Sequence, residues 1–293
     1  MRDKNLMVGV IFCFVISILF LLVIIWEIKK SIDHDERVQQ MSKKTNAVEV
    51  SDNRDFSIYE TMVGDDGREM VLIPEGVFTR GSDSGGYDEK PEQEIYLDAF
   101  YIDKYEVSVK AYNKYRKAAN YVKPSVPFFP GDHKVMEVPS HAVVGVSWHD
   151  AVNYCTWAGK RLPTEAEWEK AARGTNGFLY PWGFNPPIVT LANFQKQWEG
   201  EKTLWPVNSS NESNSPYGLV GMAGNAREWV QDWYSPDYYN SSPKKNPQGP
   251  KNGILKVIKG GSWHSFKSDL RAASRGKGGF ALKTDGIGFR CAK

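Results

Sequence analysis

The sequence predicts an α+β domain of low regular secondary structure, preceded by one transmembrane helix, and three features carry that prediction. Residues 6–26 form an apolar run without a charged residue. Strand-like stretches between residues 70 and 102 give way to capped helix patterns between residues 108 and 169, and the remainder is punctuated by Gly, Pro and Trp at intervals too short for long elements. The chain of 293 residues, 25% of them charged and 41% hydrophobic, has the composition of a folded protein and room for one large domain. A net charge of +2 selects no polyanionic partner, and the basic residues form no stripe with interleaved aromatics, which argues against nucleic acid.

Residues 1–5 are a short flank to the apolar run. At 1.5 Å per residue, about 21 residues span about 30 Å, the hydrocarbon thickness of a bilayer. Trp26, Glu27, Lys29 and Lys30 follow where a cleavable signal peptide would carry small residues, so an uncleaved anchor is expected over residues 6–26. Residues 27–55 hold few large apolar side chains after Ile32 and cannot bury enough surface to fold alone; they read as a stalk or tether. The domain proper is expected over residues 56–293.

Within it, residues 70–81 form a β-type run interrupted at Pro74-Glu75-Gly76, which reads as a hairpin, and residues 95–102 read as one further strand. Ser108 is placed to cap a helix over residues 111–118. Residues 143–146, Val-Val-Gly-Val, read as a short buried strand. Ser147 then caps a helix running to Trp157 and ended by Gly159. Thr164, with Glu167 three residues on, has the capping-box spacing and starts the next helix. Glu165 and Glu169 fall one turn apart on it, and the reading that suits the helix dipole is a solvated acidic first turn rather than a catalytic pair.

The last segment is the most suggestive of a site. Gly260-Gly261 allows backbone conformations a side chain forbids, Trp263 brings a large amphipathic surface, and His264, Ser265, Arg271 and Arg275 follow, a combination suited to the wall of a cleft. His264 is a candidate base or ligand, although Asp269 and Ser265 cannot be placed around it from sequence. The five histidines show no metal-ligand spacing, and the three cysteines include Cys13 in the apolar run, leaving Cys155 and Cys291 as a possible disulfide or two buried thiols. No phosphate-cradling Gly-Lys-Ser/Thr loop is present. Seven of the ten tryptophans sit in Gly- and Pro-punctuated motifs and read as core and turn packing.

Three stretches, Arg-Leu-Pro-Thr-Glu-Ala-Glu-Trp-Glu at 161–169, Gly-Asn-Ala-Arg-Glu-Trp at 224–229 and Gly-Gly-Ser-Trp at 260–263 with its closing Gly-Phe-Arg-Cys at 288–291, resemble the formylglycine-generating enzyme (sulfatase-modifying factor) family. The resemblance covers roughly residues 70–292 and implies that family's irregular fold, distantly similar to C-type lectins. In the family, two cysteines after the Gly-Gly-Ser-Trp run bind copper and oxidise a sulfatase cysteine; the matching positions here are Ser265 and Leu270, so no copper is expected. The resemblance also implies a Cys155–Cys291 disulfide. It implies structural calcium at Asn193, the Phe194 carbonyl, Glu199 and Glu201, and a second calcium at Gly224, Ala226 and Glu228, where Gly221 replaces the usual side-chain oxygen.

These readings place the large domain outside the cytoplasm, periplasmic or extracellular, against the count of basic residues beside the apolar run, which points inward. The function expected is non-catalytic: a membrane-anchored domain whose old peptide cleft, lined by Trp263, His264, Arg271 and Arg275, docks a protein partner in a membrane or envelope complex. The alternatives are a metal-dependent oxidoreductase or peptide- or metabolite-modifying enzyme using a non-cysteine site, and a glycan-binding module. Fold alone does not decide among them.

Overall fold

The structure, a computed structural model, describes Lys29 and residues 58–121, 137–209 and 213–293. The expected membrane span at 6–26 lies outside the described residues; among those described, no helix is long and apolar enough to cross a membrane. Among the described residues, nine short strands form three sheets. Strands β1 (Thr61–Val63), β2 (Glu69–Ile73) and β5 (Phe100–Asp103) make an antiparallel sheet in the order β1-β2-β5. Strands β3 (Gly76–Arg80) and β4 (Gln93–Leu97) form a two-stranded antiparallel sheet, and Tyr96 of β4 makes an isolated parallel bridge to Lys245. The third sheet takes β6 (Arg227–Trp233), β7 (Leu255–Lys259), β8 (Gly276–Gly279) and β9 (Ile287–Gly288) in the order β8-β7-β6-β9, with β6 and β9 parallel.

The expected hairpin at 70–81 is therefore not one. β2 and β3 join different sheets, Val71 facing Ile102 and Phe78 facing Ile95, because the chain turns between sheets at Pro74-Glu75 instead of folding back on itself. The single strand expected at 95–102 likewise breaks at Asp98-Ala99 into β4 and β5. Its alternation was legible, but the corner was not. Residues 143–146 are buried as expected yet belong to no strand; their backbone is held by Val107 O, Thr284 O and other isolated contacts.

The helices follow their caps. Helix α1 (Val109–Ala118) starts at Ser108, whose hydroxyl accepts the Ala111 amide, and α2 (Trp148–Trp157) starts at Ser147 in a reciprocal capping box with Asp150. Gly159, at φ +65°, follows the end of α2 in the left-handed region. Helix α3 (Glu165–Arg173) has its capping box at Thr164 and Glu167. All nine residues of α3 are buried, charged ones included, so it is an interior element instead of a surface one.

Two apolar clusters hold these parts together. One joins β2–β5 to α3 through Ile73, Phe78, Ile95, Ile102 and Trp168. The other joins α1 and α2 to the C-terminal segment through Tyr112, Tyr154, Trp229 and Phe289, with Tyr154 and Phe289 ring centroids 5.4 Å apart. Cys155 and Cys291 are disulfide-bonded within this second cluster across 136 positions of sequence, fastening α2 to the end of the chain. Replacing both cysteines by alanine is expected to lower stability by about 3–5 kcal/mol, read from denaturant midpoints, because the loop released is long. A change under about 1 kcal/mol would show that the aromatic cluster alone fixes the terminus.

Candidate functional site

β7 delivers the site. It ends at Lys259, and Gly260 (φ +90°) and Gly261 (φ +70°) turn the chain beneath α3; a Cβ at Gly260 would stand 3.0 Å from the Trp168 ring, and one at Gly261 would stand 3.1 Å from Leu270 Cδ1. The turn sets Ser262 and Ser265 face to face. Ser265 Oγ accepts hydrogen bonds from the Ser262 amide at 2.9 Å and from Arg227 Nη2 and Nε at 3.1 and 3.3 Å, and it is hydrogen-bonded to Ser262 Oγ at 3.1 Å. Three donors and one hydroxyl contact leave that oxygen no lone pair to spare. Ser265 is buried, and Leu270 lies fully buried in a cluster with Phe194, Ala192 and Tyr180.

Of the five residues expected to line a cleft, His264 alone is exposed. Its Nδ1 lies 3.4 Å from Ser262 Oγ. Trp263 is buried against Trp198 and donates from Nε1 to the Asp285 carbonyl. Arg271 is committed to Glu89 by two hydrogen bonds of 2.6 and 2.7 Å. Arg275 is withdrawn entirely: its side chain has no exposure, it grips both oxygens of Glu165, and it packs between the rings of Tyr234 and Tyr239. The two arginines are structural because each faces a buried carboxylate that needs a counter-charge.

Those carboxylates correct a second expectation. Glu165 and Glu169 are not a solvated first turn but are 2% and 0% exposed. Glu165 holds Arg275 and Lys259, while Glu169 holds Arg173, Lys259 and the Gly81 amide. Burial works to raise the Glu165 carboxyl, and Arg275 with Lys259 outweighs it, so it titrates below the ordinary range. The spacing marked both residues as a pair; it could not show that α3 is covered on every side.

Arg227 and Glu106 were missed as site residues. Arg227 starts β6 and reaches Asp269 at 3.1 Å as well as Ser265. Its only sequence signal is its place beside Glu228, the two side chains taking opposite faces of a strand. Glu106, between β5 and α1, accepts from Asn225 Nδ2 at 2.8 Å and from the Ala226 amide at 3.1 Å. Burial and the charge of Glu228 push its carboxyl up to about 8.

The expected metal ligands divide. Asn193 is 1% exposed; its Nδ2 donates to the Thr203 carbonyl and to Asn225 Oδ1, and its Oδ1 has no donor, as a cation ligand would require. Thr203 also ties in Glu199, whose amide donates to its hydroxyl, while Glu201 is exposed. Glu228 does not fit. Both its oxygens take Arg290, and one also takes Trp168 Nε1 at 2.7 Å, so a guanidinium already neutralises it. Among the described residues no three His, Cys, Asp or Glu side chains converge to hold a metal.

These parts define an irregular α+β domain of C-type-lectin-like fold whose candidate site is the Gly-Gly turn and the oxygen-rich loops beside it. Residues 57–293 match the Sulfatase-modifying factor enzyme 1-like domain, and the chain belongs to that family. The formylglycine-generating enzyme of Bos taurus is 34% identical over 284 residues, covering 76% of this chain and 74% of the enzyme. The serine/threonine-protein kinase pkn1 of Chlamydia caviae is 38% identical over 241 residues, covering 77% of this chain, but this chain spans only 38% of the chlamydial protein's length. The solved structure of PvdO from Pseudomonas aeruginosa superposes with a TM-score of 0.70 at 28% identity, covering 80% of this chain and 97% of PvdO.

The Glu89–Arg271 pair fixes a pH dependence. Burial raises the Glu89 carboxyl, and the Arg271 guanidinium more than offsets it, leaving its pKa below the ordinary value. A depressed carboxylate contributes stability that is complete above the unfolded pKa and is lost as pH falls through the folded one. Arg271→Met is expected to cost about 2–4 kcal/mol at neutral pH and to remove part of the acid sensitivity below about pH 4.5, measured by denaturant unfolding from pH 3 to 7. An unchanged pH slope in the variant would mean the pair contributes nothing.

Proposed function

We propose that this chain is a membrane-anchored, non-catalytic member of its family that docks a protein partner as an accessory or structural subunit of a membrane or envelope complex. The observation that carries the reading is the state of Ser265 and Leu270. At the positions where the family resemblance puts copper-binding cysteines, one side chain is a buried hydroxyl with every bonding direction used, and the other is an alkyl group locked in a core cluster. Neither is a ligand for a soft metal, and Ser265 has no free lone pair for attack. This supports a reading in which formylglycine generation is not the reaction of this site.

The scaffold around the turn is nevertheless kept rigid by buried ion pairs, which supports binding in place of chemistry. What it offers to a partner is His264 and Phe266, the latter 68% exposed, on a turn zipped to the neighbouring loop by hydrogen bonds from the Gln195 and Lys196 amides to the Ser265 and Trp263 carbonyls. An exposed aromatic on a rigid frame is the kind of anchor that interfaces use. The family relatives named pkn1 carry this domain as a minority of a longer chain, as a recognition module would be carried. Membrane anchoring and an extracytoplasmic location rest on residues 6–26 and on the disulfide, which persists in oxidising compartments.

The test uses the full-length chain extracted from its membrane, with a photo-crosslinking residue at position 266 and, as control, at position 77. The expected result is one stoichiometric adduct from position 266 only, and iron and copper well below one per chain. Equal adducts from both positions, no adduct, or a tightly held iron or copper ion would each overturn the proposal.

A further inference from the structure

Strand β8 leaves one edge of its sheet open. It ends the order β8-β7-β6-β9, and no described residue pairs with its outer side. Leu255 turns its carbonyl to β6, where it accepts the Tyr234 amide. In the antiparallel alternation Lys256 and Ile258 therefore serve β8, and they take up the backbone groups of their partners Gly278 and Gly276. The backbone of Lys277 and the Gly279 amide then face outward. The Gly279 carbonyl is used within the chain, accepting the Leu282 amide at 2.8 Å. An edge of this kind is a template for pairing with another chain.

The glycines keep that edge bare. Gly278 answers to the interior, since a Cβ there would stand 2.8 Å from Leu282 Cδ2 and 3.2 Å from the Trp229 ring. Gly279 does not: a Cβ there would meet no atom within 4 Å, and its φ lies outside the left-handed region. A glycine on an open edge that neither packing nor backbone angle requires suits the close approach of another backbone. Side chains flank the edge on both sides. Past its end, exposed Phe280 packs edge-on against His149 and Trp233, with ring centroids 5.3 and 6.3 Å away, and Leu282 is exposed two residues on. Lys277, the one side chain of β8, holds its Nζ 4.6 Å from the Tyr234 ring centroid and 3.3 Å from its hydroxyl, and none of the ion pairs among the described residues includes it. Asp88 takes the proton of that hydroxyl in a hydrogen bond of 2.8 Å.

We propose that the open edge of β8 binds an extended segment of a protein partner as an added strand, a carboxylate of that segment lying opposite Lys277 and an apolar side chain on Phe280 and Leu282. Charge selects this occupant over a second copy of the chain. Edge-to-edge pairing of two copies would crowd two Lys277 ammonium groups together with no carboxylate in either strand to offset them, whereas an acidic cross-strand neighbour is favourable. The site does not rest on the contact proposed at Phe266.

The probe is a displayed library of random peptides of about eight residues, selected on the immobilised full-length chain. Selected peptides are expected to combine an acidic residue with apolar residues at alternate positions. Each is then remade with N-methyl groups on one or the other alternate set of amides, and one of the two sets is expected to bind at least about tenfold more weakly, as strand addition requires. Gly279→Pro, which removes an outward amide and no ladder bond, is expected to weaken binding by about tenfold or more. Selection on Lys277→Glu is expected to return basic peptides in place of acidic ones. The charge reversal and the methylated peptides serve if Gly279→Pro does not fold. No enriched peptide, acidic peptides that bind Lys277→Glu as well as the parent, or binding indifferent to N-methylation or to Gly279→Pro would overturn the proposal. So would a concentration-dependent dimer lost in Gly279→Pro, which would assign the edge to a second copy. None of these outcomes bears on the crosslinking at position 266, so the two proposals fail separately.

Discussion

The structure depends on the buried ion pair between Arg290 and Glu228. Arg290 has no exposed surface, and its guanidinium binds the carboxylate while also donating to the carbonyls of Asp103, Lys104 and Val220. One side chain thus ties the C-terminal segment to β6, to the end of β5 and to the loop before the site. Few groups other than arginine offer five donors in a fixed plane, and a lysine here would leave carbonyls unpaired. Trp168 completes the arrangement from α3 by donating to the same carboxylate.

The interior is held largely in this way. A domain with short strands and few helices cannot rely on long ladders, so charged side chains reach inward and satisfy the backbone of irregular segments: Lys170 caps the carbonyls of Pro74 and Gly76, Arg173 those of Gly81, Gly177 and Phe178, and Lys160 bridges Asp66 and Asp103. Such pairs are weak evidence of high stability, because desolvation offsets much of their attraction. Their contribution is directional, fixing which loop lies against which. On the proposed reading, that directional fixing is what the site offers a partner.

The Gly-Gly turn is where the proposed reading departs from the enzyme that the family resemblance implies. Where the family resemblance places two cysteines, a hydroxyl and an alkyl group have been absorbed into the packing, Ser265 by Arg227 and the Ser262 amide, Leu270 by Phe194 and Tyr180. Two buried carboxylates near the turn differ in their partners: Glu228 faces a guanidinium, while Glu106 meets the Asn225 side-chain amide and the Ala226 N–H. His264 and Phe266 are the side chains this turn exposes.

The sequence by itself determined the elements whose causes are local. Ser108, Ser147 and Thr164 start helices because a hydroxyl can satisfy an amide three residues on, Gly159 and Gly260 turn because glycine, lacking a Cβ, takes positive φ freely, and the motifs at 161–169, 224–229 and 260–263 named the family that residues 57–293 match. Only the tertiary structure decided what lies opposite. Nothing local shows that β2 and β3 part into different sheets, that α3 is enclosed so that Glu165 and Glu169 become interior charges, or that Arg271 and Arg275 turn inward to meet carboxylates far away in sequence. A residue's type limits what it can bond; its burial and partner are properties of the fold, and those set whether a carboxylate is a solvated surface group, half of an ion pair, or a ligand.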